Sequence, residues 1–486
     1  MTRRSGSLLG LLAGTTVVLA AGICGLGANV VVRGSDAAPV IFPLVALGLC
    51  AALFFGTLWW RERSTPLNIG AFGALIVVVY AAYPAVVYLL NGLTYSIASD
   101  NRLLIAQPVP KEIGLLTWWY VFYFVAFAVF YIAVAKGRGH FVLDLKSVPR
   151  GVVWLIVALS IIIEAIAALI GLFYETAGAT YQESYVVVQR LPLAVRQIFA
   201  NVVAMRMTLL ILLMCVLFSH YRRARLWIIA IVGWNVATTL RHMHARGDMF
   251  ILLAVVAFLY HHTVRRFRMS VAFIAVVSLL ALSTWMAVVR GGGNVTAREG
   301  ALGGSEFESI LGNAYDLKFV RGASGVMISQ PALYFSDIAS LVPQQLLPFQ
   351  KGTKADWYLA TFYPASAATG VGFAFGVLSE AITGFGWMEM VVRGALVGLA
   401  FGWLHRRYSS RPLSLWELAF YVWLMAWSYQ IVRNTTFCLL QRFEYHFFVP
   451  VVAIRSIRFV LLKGGWRRLL GRKQLDTVAA PGVAGS

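Results

Sequence analysis

Long apolar runs recur along this whole chain, and they constrain its fold more than any other feature. About twelve of them approach the roughly 20 residues that a helix needs to cross a bilayer. They cover residues 8–32, 39–60, 68–92, 115–135, 152–173, 198–219, 226–240, 248–260, 270–289, 387–404, 414–432 and 446–462. Only 13% of the 486 residues are charged, whereas a soluble domain carries about 25%. The sequence therefore predicts an all-α, polytopic integral membrane protein with about 12 transmembrane helices (10–14).

Short basic clusters indicate which side of the membrane each connection faces. If the N-terminus is cytoplasmic, the cytoplasmic segments contain RR (3–4), RER (61–63), KGRGHFVLDLKSVPR (136–150), RRAR (222–225), RRFR (265–268) and RRYSSR (406–411). This arrangement follows the positive-inside rule. The net charge of +21 then reflects basic loops beside a membrane, so we expect no nucleic-acid partner.

The predicted spans divide the chain into four parts. Nine helices occupy residues 1–289, a large extracytoplasmic loop occupies 290–386, three helices occupy 387–462, and a basic cytoplasmic tail covers 463–486. Aromatic and apolar residues run through the loop, which argues against disorder. Its last part, TGVGFAFGVLSEAITGFG, is apolar but interrupted by five glycines. This pattern predicts a short or re-entrant helix.

A polar stretch, RHMHARGD (241–248), separates the seventh and eighth apolar runs. RRAR and RRFR flank these two runs on the cytoplasmic side, so the stretch is expected on the outer face. Guanidinium groups bind phosphate oxygens bidentately and stay charged when partly desolvated. We therefore consider the outward arginines as ligands of a phosphorylated, lipid-linked substrate. They include Arg241, Arg246, Arg290, Arg433 and Arg442.

Simpler interpretations remain open for this polar stretch. Arg241 and Arg246 could reach lipid headgroups, and Asp248 could cap the helix that it begins. His242 and His244 are two residues apart and point to different sides of a helix. A metal-binding pair is therefore not expected, although either histidine could serve as a base or a hydrogen-bond donor.

Glu164 and Glu389 lie within apolar predicted spans. Ionisable residues in such positions are candidates for function. Arg393 follows Glu389 by four residues, so an ion pair on one helix face is the simplest interpretation. Four scattered cysteines have no ligand spacing, and no carboxylate cluster suits a metal, so we predict no metal and no cofactor.

The order of these features resembles the Wzy-type O-antigen polymerases, also called oligosaccharide repeat unit polymerases, which are related to the O-antigen ligases. The segments that carry the resemblance are ARGDMFILLAVVAFLY (245–260), AVVRGGGN (287–294), GVGFAFGVLSEAITGFGW (370–387) and GALVGLAFGWL (394–404). It covers roughly residues 226–405, and the earlier spans match by topology alone. Ala245 stands where the family often has Ser or Gly, and residues 290–386 lack the histidine that is prominent in the ligases.

The resemblance implies a bacterial inner-membrane glycosyltransferase with a GT-C-like helical bundle, cytoplasmic termini and a periplasmic active site. Such enzymes transfer a growing glycan from undecaprenyl diphosphate to a lipid-linked repeat unit, and a chain-length regulator and a flippase are expected partners. The product would be an O-antigen, capsule or exopolysaccharide.

Residue roles follow from the same resemblance. Arg246 and Arg290 match the arginines of the family pattern, and Glu380 matches the glutamate of its glycine–aromatic segment. We therefore expect the two arginines to bind the diphosphate, with Arg241, Arg433 and Arg442 as further substrate-binding candidates. Glu380 is the first candidate for the catalytic base, followed by His244 and His242.

Several other functions remain open. An O-antigen ligase shares much of the pattern, and a GT-C transferase that uses a monophosphate donor would need acidic residues in the first outer loop, where only Asp36 is present. A transporter or flippase for lipid-linked oligosaccharides would also need arginines, but no clear internal repeat is visible. A scaffold for polysaccharide assembly gives no reason for outward arginines.

Overall fold

The computed structural model describes residues 34–62, 68–90, 93, 109–135, 142–143, 150–177, 192–242, 246–265, 306–325, 327–339, 341–342, 346–348, 352–364, 367 and 374–463. In the first half the helices are α1 (Ala38–Glu62), α2 (Ile69–Leu90), α3 (Pro110–Val134), α4 (Arg150–Ala177), α5 (Leu193–Ser219), α6 (Tyr221–His242) and α7 (Arg246–Thr263). The strand β1 (Val142–Leu143) lies between α3 and α4.

The second half contains shorter helices before and after one long helix. They are α8 (Glu306–Tyr315), α9 (Leu333–Ala339), α10 (Lys354–Phe362), α11 (Gly376–Ile382), α12 (Trp387–Ser409), α13 (Leu415–Trp427), α14 (Gln430–Arg433), α15 (Thr436–Arg442) and α16 (Val449–Lys463). The strand β2 (Pro412–Leu413) separates α12 from α13. Wide π-helical turns, Asp316–Arg321 and Phe443–Phe448, follow α8 and α15.

Six stretches of helix in the described part are long and apolar enough to cross a membrane. They are Ala38–Leu58, Ile69–Leu90, Pro110–Val134, Gly151–Leu169, Trp387–Ser409 and Phe437–Ile457. Shorter apolar stretches, Met205–Ser219 and Gly247–Thr263, belong to α5 and α7. The protein is therefore all-α and membrane-embedded, as predicted. The predicted spans 8–32 and 270–289 and the tail after Lys463 lie outside the described residues.

The predicted span 414–432 is broken in the structure. α13 ends at Trp427, and α14 begins only at Gln430. At the break, the Ser428 hydroxyl donates to the carbonyl oxygen of Met425 at 2.7 Å. The backbone amides of Ser428 and Ile431 donate to carbonyl oxygens three residues back, at 3.3 and 3.1 Å, instead of four residues back as in an α-helix.

The last span also differs from the prediction of 446–462. The apolar stretch long enough to cross a membrane is Phe437–Ile457, because the π-helical turn Phe443–Phe448 continues the helix from α15 into α16. The span therefore begins earlier in the sequence than hydropathy alone suggested.

α12 packs against α3 along three glycines spaced four residues apart. A Cβ atom on each would lie only 2.3, 2.4 and 3.0 Å from a backbone oxygen of α3. Glycines that let two backbones approach this closely are typical of helix pairs in membranes. The close pairs are Gly394 with Tyr123, Gly398 with Phe127, and Gly402 with Tyr131. The residue numbers increase in the same direction along both helices, so α3 and α12 run parallel.

The C-terminal ends of α1, α3 and α12 lie at the same end of the bundle. Arg61 Nη1 in α1 donates to the carbonyl oxygen of Ile132 in α3 at 2.7 Å. β1, which follows α3, pairs in parallel with β2, which follows α12. We call this the basic end, because it carries Arg61, Arg406, Arg407 and Arg411.

The opposite end, which we call the covered end, contains the N-terminal ends of α1, α3 and α12. A Cβ on Gly114 in α3 would lie 2.2 Å from the Pro39 carbonyl oxygen in α1. The Tyr315 hydroxyl of α8 accepts a hydrogen bond from the amide of Val109 at 3.2 Å and donates to the Glu112 carboxylate. Residues of the 306–386 segment therefore pack over this end.

Candidate functional site

Six polar side chains meet where α9, α10 and α11 contact the N-terminal part of α12. We call them the acid–base cluster, and its members are Tyr334, Asp337, Lys354, Glu380, Glu389 and Arg393. All except Tyr334 are buried, and Lys354 and Glu380 have no exposed surface. Burial of this many charges is costly unless each is paired, so their contacts decide what the cluster can do.

Arg393 is the centre of this cluster. Its Nε donates to Glu389 Oε1 at 2.6 Å, which confirms the predicted ion pair on one face of the helix. Its Nη1 also donates to Glu380, thirteen residues away in sequence. The Tyr334 hydroxyl accepts from Arg393 Nη2 at 3.3 Å and donates to Glu389. One guanidinium therefore holds two buried carboxylates from different helices.

Lys354 closes the cluster from the side of α10. Its Nζ lies 3.2 Å from the centroid of the Tyr334 ring and donates to the carbonyl oxygen of Glu380 at 3.4 Å. Its backbone amide donates to Asp337 Oδ1 at 3.4 Å. Lys354 follows Thr353, whose side chain caps α10, so the capping residue fixes where the lysine enters the cluster.

The cluster contains three carboxyl groups and two cationic groups, so one bound proton makes it electrically neutral. Burial raises the pKa of Glu380 to about 7 and that of Asp337 to about 6. Burial lowers the pKa of Lys354 to about 8. Glu380 Oε1 has no hydrogen-bond partner among the described residues. Glu380 therefore has both the proton affinity and the vacant oxygen that a general base needs near neutral pH.

The stability of the Glu380→Gln variant relative to the wild type should increase as the pH rises from about 4.5 to about 7. The pKa of Glu380 is about 7 in the folded protein, against an ordinary value of 4.5. In this window the folded wild type therefore binds more protons than the unfolded chain, and its stability falls with rising pH. Glutamine does not titrate, so the difference between the two proteins should reach about 3 kcal/mol at most.

The measurement is the midpoint of unfolding in detergent micelles across this pH range. Asp36→Asn, which neutralises an exposed carboxyl group, is the control. A difference between Glu380→Gln and wild type that shrinks towards pH 7 would mean that the Glu380–Arg393 pair favours the ionised carboxylate, contrary to our interpretation.

A second polar group, which we call the arginine cluster, lies among α4, α5, α6, α7, α13, α15 and the last π-helical turn. It consists of Glu164, Arg206, Asn235, Asp248, Trp427, Arg442 and His446. Arg206 Nε donates to Glu164 Oε1 at 2.7 Å, and its Nη2 donates to Asn235 Oδ1 at 2.8 Å. Arg206 and Arg442 both interact electrostatically with Asp248. This group thus connects the middle of α5 with the start of α7.

Trp427 joins Arg442 and His446 within the arginine cluster. The Arg442 guanidinium lies 4.8 Å from the centroid of the Trp427 ring, and the His446 ring meets the same indole edge-on at 5.8 Å. Arg442 Nε, Trp427 Nε1 and His446 Nδ1 are buried and lack hydrogen-bond partners among the described residues. Because the first two can only donate, and buried donors are normally satisfied, this arrangement suits a ligand rich in acceptors.

Three of the predicted site residues have described side chains, and each lies in a different place. Arg442 belongs to the arginine cluster and Glu380 to the acid–base cluster. The amide of Arg433 donates to the carbonyl oxygen of Tyr429 at 2.9 Å, and the Tyr429 hydroxyl would lie 3.1 Å from a Cβ on Gly247. Arg433 therefore belongs to the chain segment that meets the start of α7.

The remaining candidates are placed only in part. Arg241 and His242 belong to the last turn of α6, and Arg246 is the first residue of α7. His244 and Arg290 lie outside the described residues. The structure therefore brings the polar stretch RHMHARGD near Arg442 through Asp248. Glu380 is in a separate cluster, although α11, which carries it, packs against α14.

Sequence reasoning missed several members of both clusters. Arg206 could have been identified from the sequence, because an arginine in the middle of an apolar run needs a partner. Glu164 was identified there as a carboxylate inside a predicted span. Tyr334, Asp337 and Lys354 had no such signal, since none of them lies in a predicted membrane span. In the described part of the chain, no group of three or more His, Cys, Asp or Glu side chains could hold a metal ion.

Neither cluster is linked to a known protein by similarity. Comparison with protein-family models, with curated proteins and with solved structures finds no match for this chain.

Proposed function

We propose that this protein is a membrane-embedded glycosyltransferase that polymerises undecaprenyl-diphosphate-linked oligosaccharide repeat units into a surface polysaccharide. The observation that carries the proposal is the arginine cluster, where buried donors of Arg442 and Trp427 lack partners among the described residues, beside the start of α7. Diphosphate oxygens are strong acceptors that guanidinium groups bind well. The polyprenyl carrier and the saccharide come from the resemblance to Wzy-type polymerases.

The orientation of the bundle supports a site on the outer face of the bacterial inner membrane. Arg61, Arg406, Arg407 and Arg411 gather at the basic end, which the positive-inside rule assigns to the cytoplasm. Phe258, near the C-terminal end of α7, packs on Tyr421 with 5.7 Å between ring centroids. Because Tyr421 also accepts from the amide of Ile69 at the start of α2, α7 ends towards the basic end. Its start, beside the arginine cluster, is then directed outwards.

The proposed reaction breaks the bond between the anomeric carbon and the diphosphate and forms a bond to an acceptor hydroxyl. Arginines would stabilise the negative charge that develops on the departing diphosphate. A base must take the proton of the attacking hydroxyl, and Glu380 fits this role through its raised pKa and vacant oxygen. Since Glu380 is fully buried, we propose that α9 and α10 move aside when the acceptor binds.

Arg442→Ala should reduce polymer formation at least ten-fold, which corresponds to about 1.4 kcal/mol. The variant removes one of several cations, so the loss is smaller than for a sole anion-binding group. The measurement is a surface-glycan gel of a deletion strain that expresses each variant, with protein quantity in the membrane checked by blotting.

Arg455→Ala is the matched control for this experiment, because Arg455 also lies over a tryptophan, 5.1 Å from the Trp416 ring centroid, but is exposed. Normal chain length in Arg442→Ala, or equal loss in both variants, would contradict the assignment. The deletion strain separates the two related activities: single-repeat product indicates a polymerase, and stranded lipid-linked polymer indicates a ligase.

A transporter or flippase of lipid-linked oligosaccharides is the second candidate. It is favoured by the ion pair of Arg206 with Glu164, because both residues lie midway along their helices, where transporters place charged groups. In a deletion strain, a missing flippase would leave repeat units on the cytoplasmic face and no outward single-repeat product. The gel described above therefore distinguishes the two candidates.

A further inference from the structure

The chain between Arg321 and Lys351 contains a single charged residue, Asp337, and that residue is buried. Several large apolar side chains in the described part of this stretch are exposed instead. Phe335 is 80% exposed, and Met327 and Leu346 are each 72% exposed. A stretch that exposes such side chains and buries its only charge is unsuited to contact with water, and such patches mark sites of association.

Three contacts fix the position of this stretch along the length of the helix bundle. The Ser329 hydroxyl donates to the carbonyl oxygen of Gly384 at 3.1 Å, and the Gln330 amide donates to that of Thr383 at 2.7 Å. The Tyr334 ring stacks on Phe385 with 6.1 Å between centroids. All three contacts involve the turn directly before α12, which spans the membrane. The stretch therefore lies where the spanning helix begins.

Exposed apolar side chains are also present on the spanning helices next to this stretch. Phe385, Trp387 and Met388 are exposed at the start of α12, and Val392 is exposed farther along it. Phe122 of α3 packs edge-on against Trp387 at 6.0 Å. Side chains exposed on the flank of spanning helices face lipid, so the neighbouring surface of the 327–346 stretch is directed to the same environment.

α9 has a polar face and, next to it, an exposed apolar face. Tyr334 and Asp337, three residues apart, point into the acid–base cluster. Phe335 and Ile338, each one residue farther along, are about 100° away around the helix and are exposed. Separate apolar and polar faces are the pattern of a helix that lies in the plane of a membrane surface. Here the side chains of the polar face form hydrogen bonds with other protein groups rather than with water.

We infer that α9, with Met327 and Leu346 on either side, is inserted sideways into the lipid bilayer at the covered end of the bundle. Phe335 and Ile338 contact lipid, while Tyr334 and Asp337 hold the helix on the acid–base cluster. The bilayer thus forms the outer wall of that cluster. This inference does not depend on the proposed transfer reaction.

Spin labels test this arrangement in the full chain, reconstituted in vesicles of phosphatidylethanolamine and phosphatidylglycerol. The native cysteines are first replaced with alanine; they are Cys24, Cys50, Cys215 and Cys438. Labels are then placed by Phe335→Cys and Ile338→Cys. Collision rates with oxygen, which concentrates in lipid, are compared with those of a polar nickel chelate. The lipid-facing reference is Val392→Cys, and the water-facing reference is Ala360→Cys, which shares an exposed face of α10 with Asp356.

At positions 335 and 338, the ratio of oxygen to nickel collisions should match that at 392 and exceed that at 360 several-fold. A ratio equal to that at 360 places α9 in water and overturns the inference. Low collision rates with both reagents, accompanied by spin–spin broadening, would show a second copy of the chain on this face and overturn it as well. Leu346→Cys gives an independent reading if a label within α9 disturbs the helix.

Discussion

Replacing Arg393 with methionine should lower the free energy of unfolding by about 3–5 kcal/mol at pH 7. The guanidinium is the shared partner of Glu380 and Glu389, and both carboxyl groups are buried. Methionine keeps much of the side-chain length but leaves two buried acids without their cation. Because charges in an apolar interior cannot regain water, the loss is far larger than for a surface pair. The fraction of monodisperse protein after heating in detergent measures the effect.

Arg407→Met on the same helix is the matched control. Arg407 is exposed and lies 5.5 Å from the centroid of the Trp403 ring, so its removal should change stability only slightly. Neutralising both acids in the background of Arg393→Met, by Glu380→Gln and Glu389→Gln, should restore part of the stability, since the buried charges are then gone. Equal stability of Arg393→Met and Arg407→Met would show that the cluster does not hold α11 on α12.

The ion pair of Glu389 with Arg393 was predictable, whereas that of Glu380 with Arg393 was not. The first follows from helix geometry alone, since residues four apart share a face. The second depends on a chain reversal at Gly386, whose φ of 73° is readily adopted only by glycine. A glycine in the sequence suggests a turn, but the direction in which the turn sends the chain is set by packing against α3.

The same distinction applies to helices and spans. Apolar runs predicted most membrane helices because length and hydropathy are local properties. At the break after Trp427, backbone amides donate to carbonyl oxygens three residues back instead of four, and the early start of the last span depends on a π-helical turn. Neither changes the hydropathy pattern, so both are invisible to it.

The candidate site shows which contacts between residues distant in the sequence can be predicted from the sequence. The outward arginines were chosen by topology alone, and the structure brings Arg442 close to Asp248 in the predicted polar stretch. Lys354 and Asp337 could not be found in this way. Their burial arises because α9 and α10 fold over α12, and neither residue lies in an apolar run that would mark it as buried.

Replacing Gly394 and Gly398 together with alanine should destabilise the fold by about 2–6 kcal/mol, from about 1–3 kcal/mol for each overpacked position. Each new Cβ would lie 2.3–2.4 Å from a backbone oxygen of α3, and a carbonyl in a helix cannot turn away without breaking its hydrogen bond. α3 and α12 must then separate along their contact. Arg393 precedes Gly394, so its contacts in the acid–base cluster should weaken too. The midpoint of thermal unfolding in detergent measures the combined loss.

The matched control is the pair Gly56→Ala and Gly233→Ala, in α1 and α6, where nothing lies within 4 Å of an added Cβ. Alanine favours a helix by about 1 kcal/mol over glycine, so this pair should gain stability while the α12 pair loses it. The opposite signs separate steric crowding from helix propensity, because the chemical change is the same in all four positions. If both pairs change stability in the same direction, the close contact between α3 and α12 is not what makes glycine necessary in α12.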